Sequence, residues 1–599
     1  MAPAREPSGA AAGTGHPPSL RRLLSEAVLA GSASVASACL SLQVWRASLD
    51  VPFDAGGDGA FYLMLTRGLE RNGHYLTNPG LGYPTGQELY DLPHGGDNLN
   101  LLLLRLAALV GEPGLALNLF YLGGFFLIGA CMHVVLRRVG ARPAVAGAVS
   151  VLFALAPFHL VRSTGHVLLS AYYSVPVAVL LAFLVLSDDP PLSRWRRWRP
   201  VISRRDVAVA AACAVLASAG AYYAVFGLLL IALAGPVAAA ARRSWRPLTS
   251  AALQVCIVAA VFVANVSPSI AYWLREGSNP RVARRLPAET EIYGLRISQL
   301  VLPRPGHRID QLARITADSL GGPIDGEPGQ NLGLVAAAGL ILLLGVAGWR
   351  LVARTPGAAW WATGRGRSIL DAGFLALGCL LTAAAGGFSY LLAALGATEI
   401  RAWNRMSIVI AALACVGVAL AVSQLLDRLE ARGRAAWGAA ALALLFLVGM
   451  LDQTSPADTR GREADEAAWV AQRDFYRAVG KKLPDDSPVF QLPVMEFPEV
   501  PQLLGTAAYD HALAYVHAPS LRWSFGAMKG RVPDPAPGFD FQQGDLMASA
   551  LRAQGFRAVV VDRAGYPDHG TGVEARLATV SGPPATVSAD GRYSMFLID

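Results

Sequence analysis

Charge is scarce in this chain. Asp, Glu, Lys and Arg make up 16% of its 599 residues, where soluble domains carry roughly a quarter. The chain is too long for one ordinary globular domain. With 53% hydrophobic residues and a mean hydropathy of +0.40, much of its surface must face lipid. Cysteine is missing from every polar segment. The six present (Cys39, Cys131, Cys213, Cys256, Cys379 and Cys415) all lie inside apolar runs. No disulfide framework or zinc spacing is visible, and these cysteines read as small hydrophobic packing residues. A P-loop, a dinucleotide fingerprint, a Ser-His-Asp spacing and a metal-ligand cluster are also lacking. The net charge of +8 does not point to nucleic acid, because most basic residues come in short clusters between apolar runs, as in the inner loops of membrane proteins. The Trp-rich run from Arg194 to Arg199 reads as an anchor to anionic lipid. No nucleic-acid partner is expected.

Apolar runs are abundant. A helix needs about 20 apolar residues to cross a hydrocarbon core roughly 30 Å thick. Eleven candidates occur, at 24–45, 114–136, 143–161, 168–187, 207–219, 221–241, 249–273, 332–349, 369–391, 406–426 and 435–452. The pair 207–219 and 221–241 is separated by Gly220 alone, so one bent element is the alternative to two spans. The mostly apolar stretch Leu99 to Val110 is too short to span and reads as an interfacial or re-entrant helix. Residues 1–22 read as a disordered cytoplasmic N-terminus, and the stretch after Arg21-Arg22 as an uncleaved first span rather than a signal peptide.

Arginines mark alternate loops: Arg137, Arg138 and Arg142, then 194–205, then Arg242, Arg243 and Arg246, then 350–367, then Arg428, Arg432 and Arg434. By the positive-inside rule these loops and the N-terminus are cytoplasmic. The expected fold is therefore a polytopic α-helical membrane protein of about eleven transmembrane helices over 23–452. Two outer loops, 46–113 and 274–331, and an extracytoplasmic α/β domain at 453–599 complete it. In that tail, 467–483 has helical periodicity, 488–492 reads as a strand, 545–553 as a helix and 558–562 as a strand buried on both faces.

The first outer loop holds the most informative chemistry. It contains Asp54 and Asp58 on glycine-rich backbone, Tyr62, and the stretch from Asp91 through His94 and Asp97 to Asn100. Glycine lets backbone approach a ligand closely. A carboxylate placed there can take a proton from an incoming hydroxyl or hold a divalent cation. The alternative is solvated loop acids with turn glycines. Cations at predicted outer ends of spans or in the outer loop 274–331 are candidates for an anionic group: Arg162 with His166, Arg401 with Arg405, and His307 with Arg308. The guanidinium fork suits phosphate oxygens, although arginine at a span end also snorkels to headgroups. The loop 274–331 reads either as a lid over such a site or as a solvated connection. Trp523, in an aromatic and basic stretch of the tail, suits sugar stacking or core packing.

The stretches Gly57 to Tyr62, Gly165-His166 followed by Tyr172-Tyr173, Tyr222-Tyr223, Arg401 to Arg405, Phe490 to Pro493 and Leu521 to Arg531 resemble the GT-C superfamily of polytopic glycosyltransferases. More closely they resemble a bacterial group of GT-C-like proteins, some labelled sugar translocases. The resemblance covers most of the chain. It implies transfer of a sugar from a polyprenyl-phosphate donor to an extracytoplasmic envelope glycan, lipid or protein. It also implies a first-loop acid as base or metal contact, a role it carries to Asp58, with Asp54 second. Asp54 and Asp58 stand four positions apart, unlike the tighter acidic pairs of some GT-C families, which leaves a divalent cation cofactor open. Two other readings compete: a lipid-linked sugar flippase, which should place polar groups at mid-membrane, and an assembly factor whose tail binds a partner. The span interiors are almost free of charge, which favours an enzyme at the plasma-membrane interface, among its lipids.

Overall fold

The computed structural model describes residues 19–196, 199–200, 202–282, 285–320, 327–353, 364–531 and 544–598. The N-terminal segment expected to be disordered, apart from its last four residues, lies outside these, as do Arg197 and Trp198 of the Trp-rich run and Arg354 of a basic loop.

Among the described residues, ten helices are long and apolar enough to cross a membrane: Leu20–Ser41, Pro113–Arg138, Pro143–Arg162, Val167–Val185, Ala221–Arg242, Arg246–Glu276, Leu334–Val352, Gly364–Ala383, Trp403–Ala431 and Ala435–Gln453. The chain is a multi-pass membrane protein. The eleventh expected span is the helix Arg204–Ser218, whose 15 residues reach about 22 Å at 1.5 Å each, short of a full crossing. It is separate from the next helix, because Gly220 at φ +118° turns the chain back between them. Arg205 near its start and Arg242 at the end of the following helix both bond to Ser187, so the two helices form an antiparallel hairpin.

One expected element changed form. The run 369–391 is not one helix: it ends at Ala383, and a short helix Phe388–Ala394 follows. The cause is tertiary. Leu295 of the second outer loop inserts a bridge, donating its N–H to the Ala383 carbonyl and accepting from the Ala385 N–H, which takes the backbone groups that helix continuation needs. The stretch expected to be interfacial is the helix Asn98–Ala108.

The tail carries a five-stranded mixed sheet. Pro488–Leu492 lies between the parallel strands Arg522–Trp523 and Ala558–Asp562, and Tyr593–Leu597 and Thr586–Val587 continue antiparallel. The run Ala558–Asp562 is buried at every residue, as its unbroken apolar character predicts for a central strand. The sheet continues into the membrane domain. Trp523 donates its N–H to the Gly80 carbonyl, and its own carbonyl accepts from Tyr83 N–H, so first-loop residues line the free edge of strand Arg522–Trp523. Trp523 itself is fully buried, with its indole N–H on the Ala518 carbonyl, which makes it a packing residue with no face free for a sugar.

A buried carboxylate locks the polar segments together. Asp91 of the first loop accepts two bonds from Arg531 of the tail (2.7 and 2.8 Å), one from Trp273 and one from Asn279. The second loop is pinned as well, since Arg304 forms a buried pair with Asp458 and Asn331 donates to the carbonyls of Gln299, Leu302 and Pro303. The segments that make these contacts are packed structure rather than a free lid.

Candidate active site beneath the tail domain

Asp58 opens the helix Asp58–Asn72. Gly57 before it stands at φ +54°, ψ −122°, a region open to glycine and costly for other residues. This puts the carboxylate at a helix N-terminus, pointing out of a tight turn. The turn is clasped to another, Arg162 to His166. Thr164 Oγ1 accepts from Asp54 N–H (2.6 Å) and donates to the Asp54 carbonyl (2.8 Å). The Asp54 side chain accepts from Gly56 N–H at 2.9 Å, closing the turn on itself. A Cβ on Gly59 would stand 2.8 Å from the Asp54 carbonyl oxygen, so glycine is needed where these two turns meet. Asp54 thus shapes the loop that presents Asp58.

The clasp brings His166 to Asp58, with Nε2 to Oδ2 at 3.5 Å, at the outer limit of a hydrogen bond. Burial, joined by the charges of Arg162 and Arg405, lowers the His166 pKa to about 4, so the ring is neutral at neutral pH. Asp58 moves the other way. Burial raises its pKa above the ordinary value, Glu499 and Glu327 push it further up, and Arg405 and Arg162 pull it down. Its side chain keeps 45% of its surface exposed, so the group is recessed and still open to a reactant.

Two guanidiniums share one carboxylate beside it. Arg162 is 4% exposed and sits at the end of the helix Pro157–Arg162. Arg405 sits in the 3₁₀ turn Trp403–Met406 that opens the next-to-last span. Both bond to Oε1 of Glu327, Arg405 at 3.3 Å, and Asn404 donates to Oε2 at 3.0 Å. Burial opposes the charge of Glu327, but Arg405 and Arg162 hold its pKa down at about 2. Two cations against one anion leave a net positive centre. Among the described residues, the Nε atoms of Arg162 and Arg405 are buried without an acceptor. Arg405 lies over the Tyr222 ring at 4.4 Å and Arg162 over Phe158 at 5.2 Å, which fixes both forks in place.

The tail forms the roof. Phe497 and Tyr509 pack on Phe61 at 6.3 and 5.2 Å, and Glu499 is held by Arg285 at 2.7 Å. The loop between strand Pro488–Leu492 and the helix Ala512–His517 therefore overlies the residues just after Asp58.

The remaining candidates divide into two groups. Tyr62 is buried on the Asp58 helix, and His94 and Asp97 are half-buried beside it. His94 lies 5.3 Å from Phe61, with its Nε2 unpartnered among the described residues and its pKa lowered to about 4 by burial. Asp97 has its pKa raised to about 6 by burial, against one bond from Asn100. Arg401, His307 and Arg308 are held elsewhere. Arg401 pairs with Glu289 at 2.7 Å and lies over Tyr293. His307 faces Asp452, and Arg308 donates to the carbonyls of Leu451 and Thr454, so this pair caps the helix Ala435–Gln453. Sequence reasoning missed Glu327, Asn404, Glu499 and Tyr509. Glu327 did leave a signal: it is one of two acids, with Asp325, in the Pro/Gly-rich stretch just before the span Leu334–Val352.

Among the described residues, no three of His, Cys, Asp or Glu converge to hold a metal ion. Asp58 and His166 supply two donors, short of a closed site but enough for an ion completed by substrate phosphate.

No family model matches the chain, and no curated protein matches it. Solved structures similar to it include ArnT from Cupriavidus metallidurans in the apo state, 14% identical, covering 95% of this chain and 98% of that one with a TM-score of 0.48. The same protein bound to undecaprenyl phosphate is 13% identical, covering 96% and 98%, with a TM-score of 0.47. The oligosaccharyltransferase AglB from Archaeoglobus fulgidus, in complex with an inhibitory peptide and a dolichol-phosphate, is 14% identical, covering 90% and 69%, with a TM-score of 0.46.

Proposed function

We propose that the chain is an inverting membrane glycosyltransferase that takes a sugar from a polyprenyl-phosphate donor at the extracytoplasmic face, with Asp58 as general base. The reading rests on one observation: a recessed carboxylate of raised pKa shares a site with two buried guanidiniums that have one carboxylate between them. Base and anion stabiliser are the two groups that sugar transfer from a phosphate requires.

The acceptor hydroxyl oxygen attacks the anomeric carbon, and the bond from that carbon to the phosphate oxygen breaks with its electrons passing to the phosphate. The hydroxyl proton goes to Asp58. His166, neutral, positions the Asp58 carboxylate. Arg162 and Arg405 neutralise the departing phosphate, preorganised by Glu327 and by the rings of Phe158 and Tyr222, so little reorganisation is needed as charge develops. Both cations stand at the ends of apolar helices, which suits a phosphate tethered to a lipid tail. The distribution of arginines supports placing this end outside the cytoplasm. Asp58 is also the position at which a divalent cation would sit, but two guanidiniums make the phosphate stabilisation independent of one.

The test is transfer in vitro from polyprenyl-phosphate sugars, run with wild type and Asp58→Asn, each with and without EDTA. Transfer by wild type that survives EDTA and is lost by at least about 10²-fold in the variant, the usual scale for a general base, supports the reading. Equal rates for wild type and variant overturn it. Absence of transfer together with movement of the sugar lipid across liposomes makes the protein a flippase.

A further inference from the structure

The opposite end of the spans carries a second charged site. The helix Ala221–Arg242 links the two, with Tyr222 beneath Arg405 at one end and Arg242 at the other, about 30 Å apart at 1.5 Å per residue. Around Arg242 lies a cavity of about 740 Å³ lined by five arginines, Arg138, Arg205, Arg242, Arg365 and Arg367, against two aspartates, Asp188 and Asp371. The rest of its wall is largely apolar, with Leu180, Leu184, Ala208 and Ala212 on two neighbouring helices.

The arginines are incompletely neutralised. Arg242 donates to the carbonyls of Leu186 and Ser187, which end a helix, and among the described residues its Nε is buried with no acceptor. Its carboxylate partner, Asp188 at 3.3 Å, is 94% exposed, so water screens that pair. Arg367 stands 3.7 Å from Asp371 and 4.0 Å from Asp188. Arg365 is held by Asp427, and Arg205 stands 3.6 Å from Asp189. Arg138 has no ion pair or side-chain hydrogen bond among the described residues. Five like charges around one cavity repel each other, and an anion placed among them removes that cost. Guanidinium forks match phosphate oxygens, and a basic recess beside apolar helix walls at a membrane surface fits a lipid headgroup with its chain.

We propose that this cavity binds an anionic amphiphile. Its phosphate is held by Arg138, Arg242 and Arg367, and its chain lies against Leu180, Leu184 and Ala212. In a bilayer the source is an acidic phospholipid; inorganic phosphate carries the same anion without the chain.

The experiment is native mass spectrometry of the full chain released from bilayer discs of mixed phosphatidylglycerol and phosphatidylcholine. Wild type should retain phosphatidylglycerol in preference to phosphatidylcholine. Arg138→Gln should lower that retention roughly tenfold, the loss of one charge-assisted hydrogen bond, without changing the melting midpoint in phosphatidylcholine alone. Ala212→Leu, which fills the apolar wall and keeps every arginine, should lower it too. Equal retention of the two lipids by wild type, or unchanged retention in both variants, overturns the proposal. Displacement of the lipid by millimolar inorganic phosphate overturns the amphiphile and leaves a simple phosphate site.

Discussion

Asp58 shows how far a single residue can depart from its ordinary chemistry. A carboxylate whose folded pKa lies above its unfolded value disfavours its own charge in the fold, so ionised Asp58 weakens stability at neutral pH. Asp58→Asn should therefore leave the melting midpoint unchanged or raised while transfer is lost; a lowered midpoint would assign Asp58 a structural role. As the proposed base, Asp58 would have to be unprotonated, so transfer should fall as pH drops through a midpoint above the ordinary carboxylate value of 3.8. His166, held at about 4, adds no limb near neutrality. A rate that stays constant to below 3.8 would remove Asp58 as base. Glu327 has the opposite sign. Its lowered pKa makes its stabilisation fully present above the ordinary 4.5, and that stabilisation is lost as pH falls toward about 2. Glu327→Gln leaves two buried guanidiniums unneutralised, at a cost of about 3–5 kcal/mol. The melting midpoint should drop, and added polyprenyl phosphate should restore part of it. Restoration by uncharged polyprenol would show that the lipid chain, not the phosphate, is responsible.

At the scale of elements, the clasp between the Asp58 turn and the Arg162 to His166 turn sets the geometry. Gly59 and Gly165 both meet Asp54 there, in different ways. A Cβ on Gly59 would press on the Asp54 carbonyl at 2.8 Å, which is backbone. A Cβ on Gly165 would press on Oδ2 at 2.5 Å, the end of a side chain that can swing away. Gly59→Ala should cost about 1–3 kcal/mol and reduce transfer by about 10²-fold through displacement of Asp58. Gly165→Ala should be milder in both thermal melting and rate. Equal effects would mean that crowding at this clasp does not position the base. The same scale shows where pattern reading stops. Hydropathy carried the apolar run beyond Ala383, but Leu295, nearly ninety positions earlier, terminates the helix by bonding to its last carbonyl. Nothing local to 384–387 other than the glycine pair signals that contact.

Over the whole molecule, the tail and the membrane domain form one structure, and Asp91 with Arg531 is the central joint. Either partner alone would be left nearly buried, so Asp91→Asn and Arg531→Met should each destabilise by about 3–5 kcal/mol. The double variant should lose less than the sum, a coupling of about 0.5–3 kcal/mol read from a double-mutant cycle of unfolding midpoints. Additive losses would mean that the two residues act independently and the tail is held by its other contacts. Because Phe497, Glu499 and Tyr509 roof the Asp58 region, the single variants should also lower transfer.

The sequence by itself determined the class of this protein. Long apolar runs have one stable solution in a bilayer, a bundle of helices, because every backbone polar group must be satisfied within its own segment. It also named Asp58, Arg162, His166 and Arg405 as candidates, beside Arg401, His307 and Arg308, since acids, glycines and arginines next to such runs are rare and visible one at a time. What it could not decide was which cations meet that acid. Arg162, Arg405 and Glu327 come from three distant segments, and the ionic partners that separate Arg405 at the site from Arg401 on Glu289 exist only once those segments pack. Charge pairing in a region of little water depends on separations of a few ångströms, and those distances are a property of the tertiary structure alone.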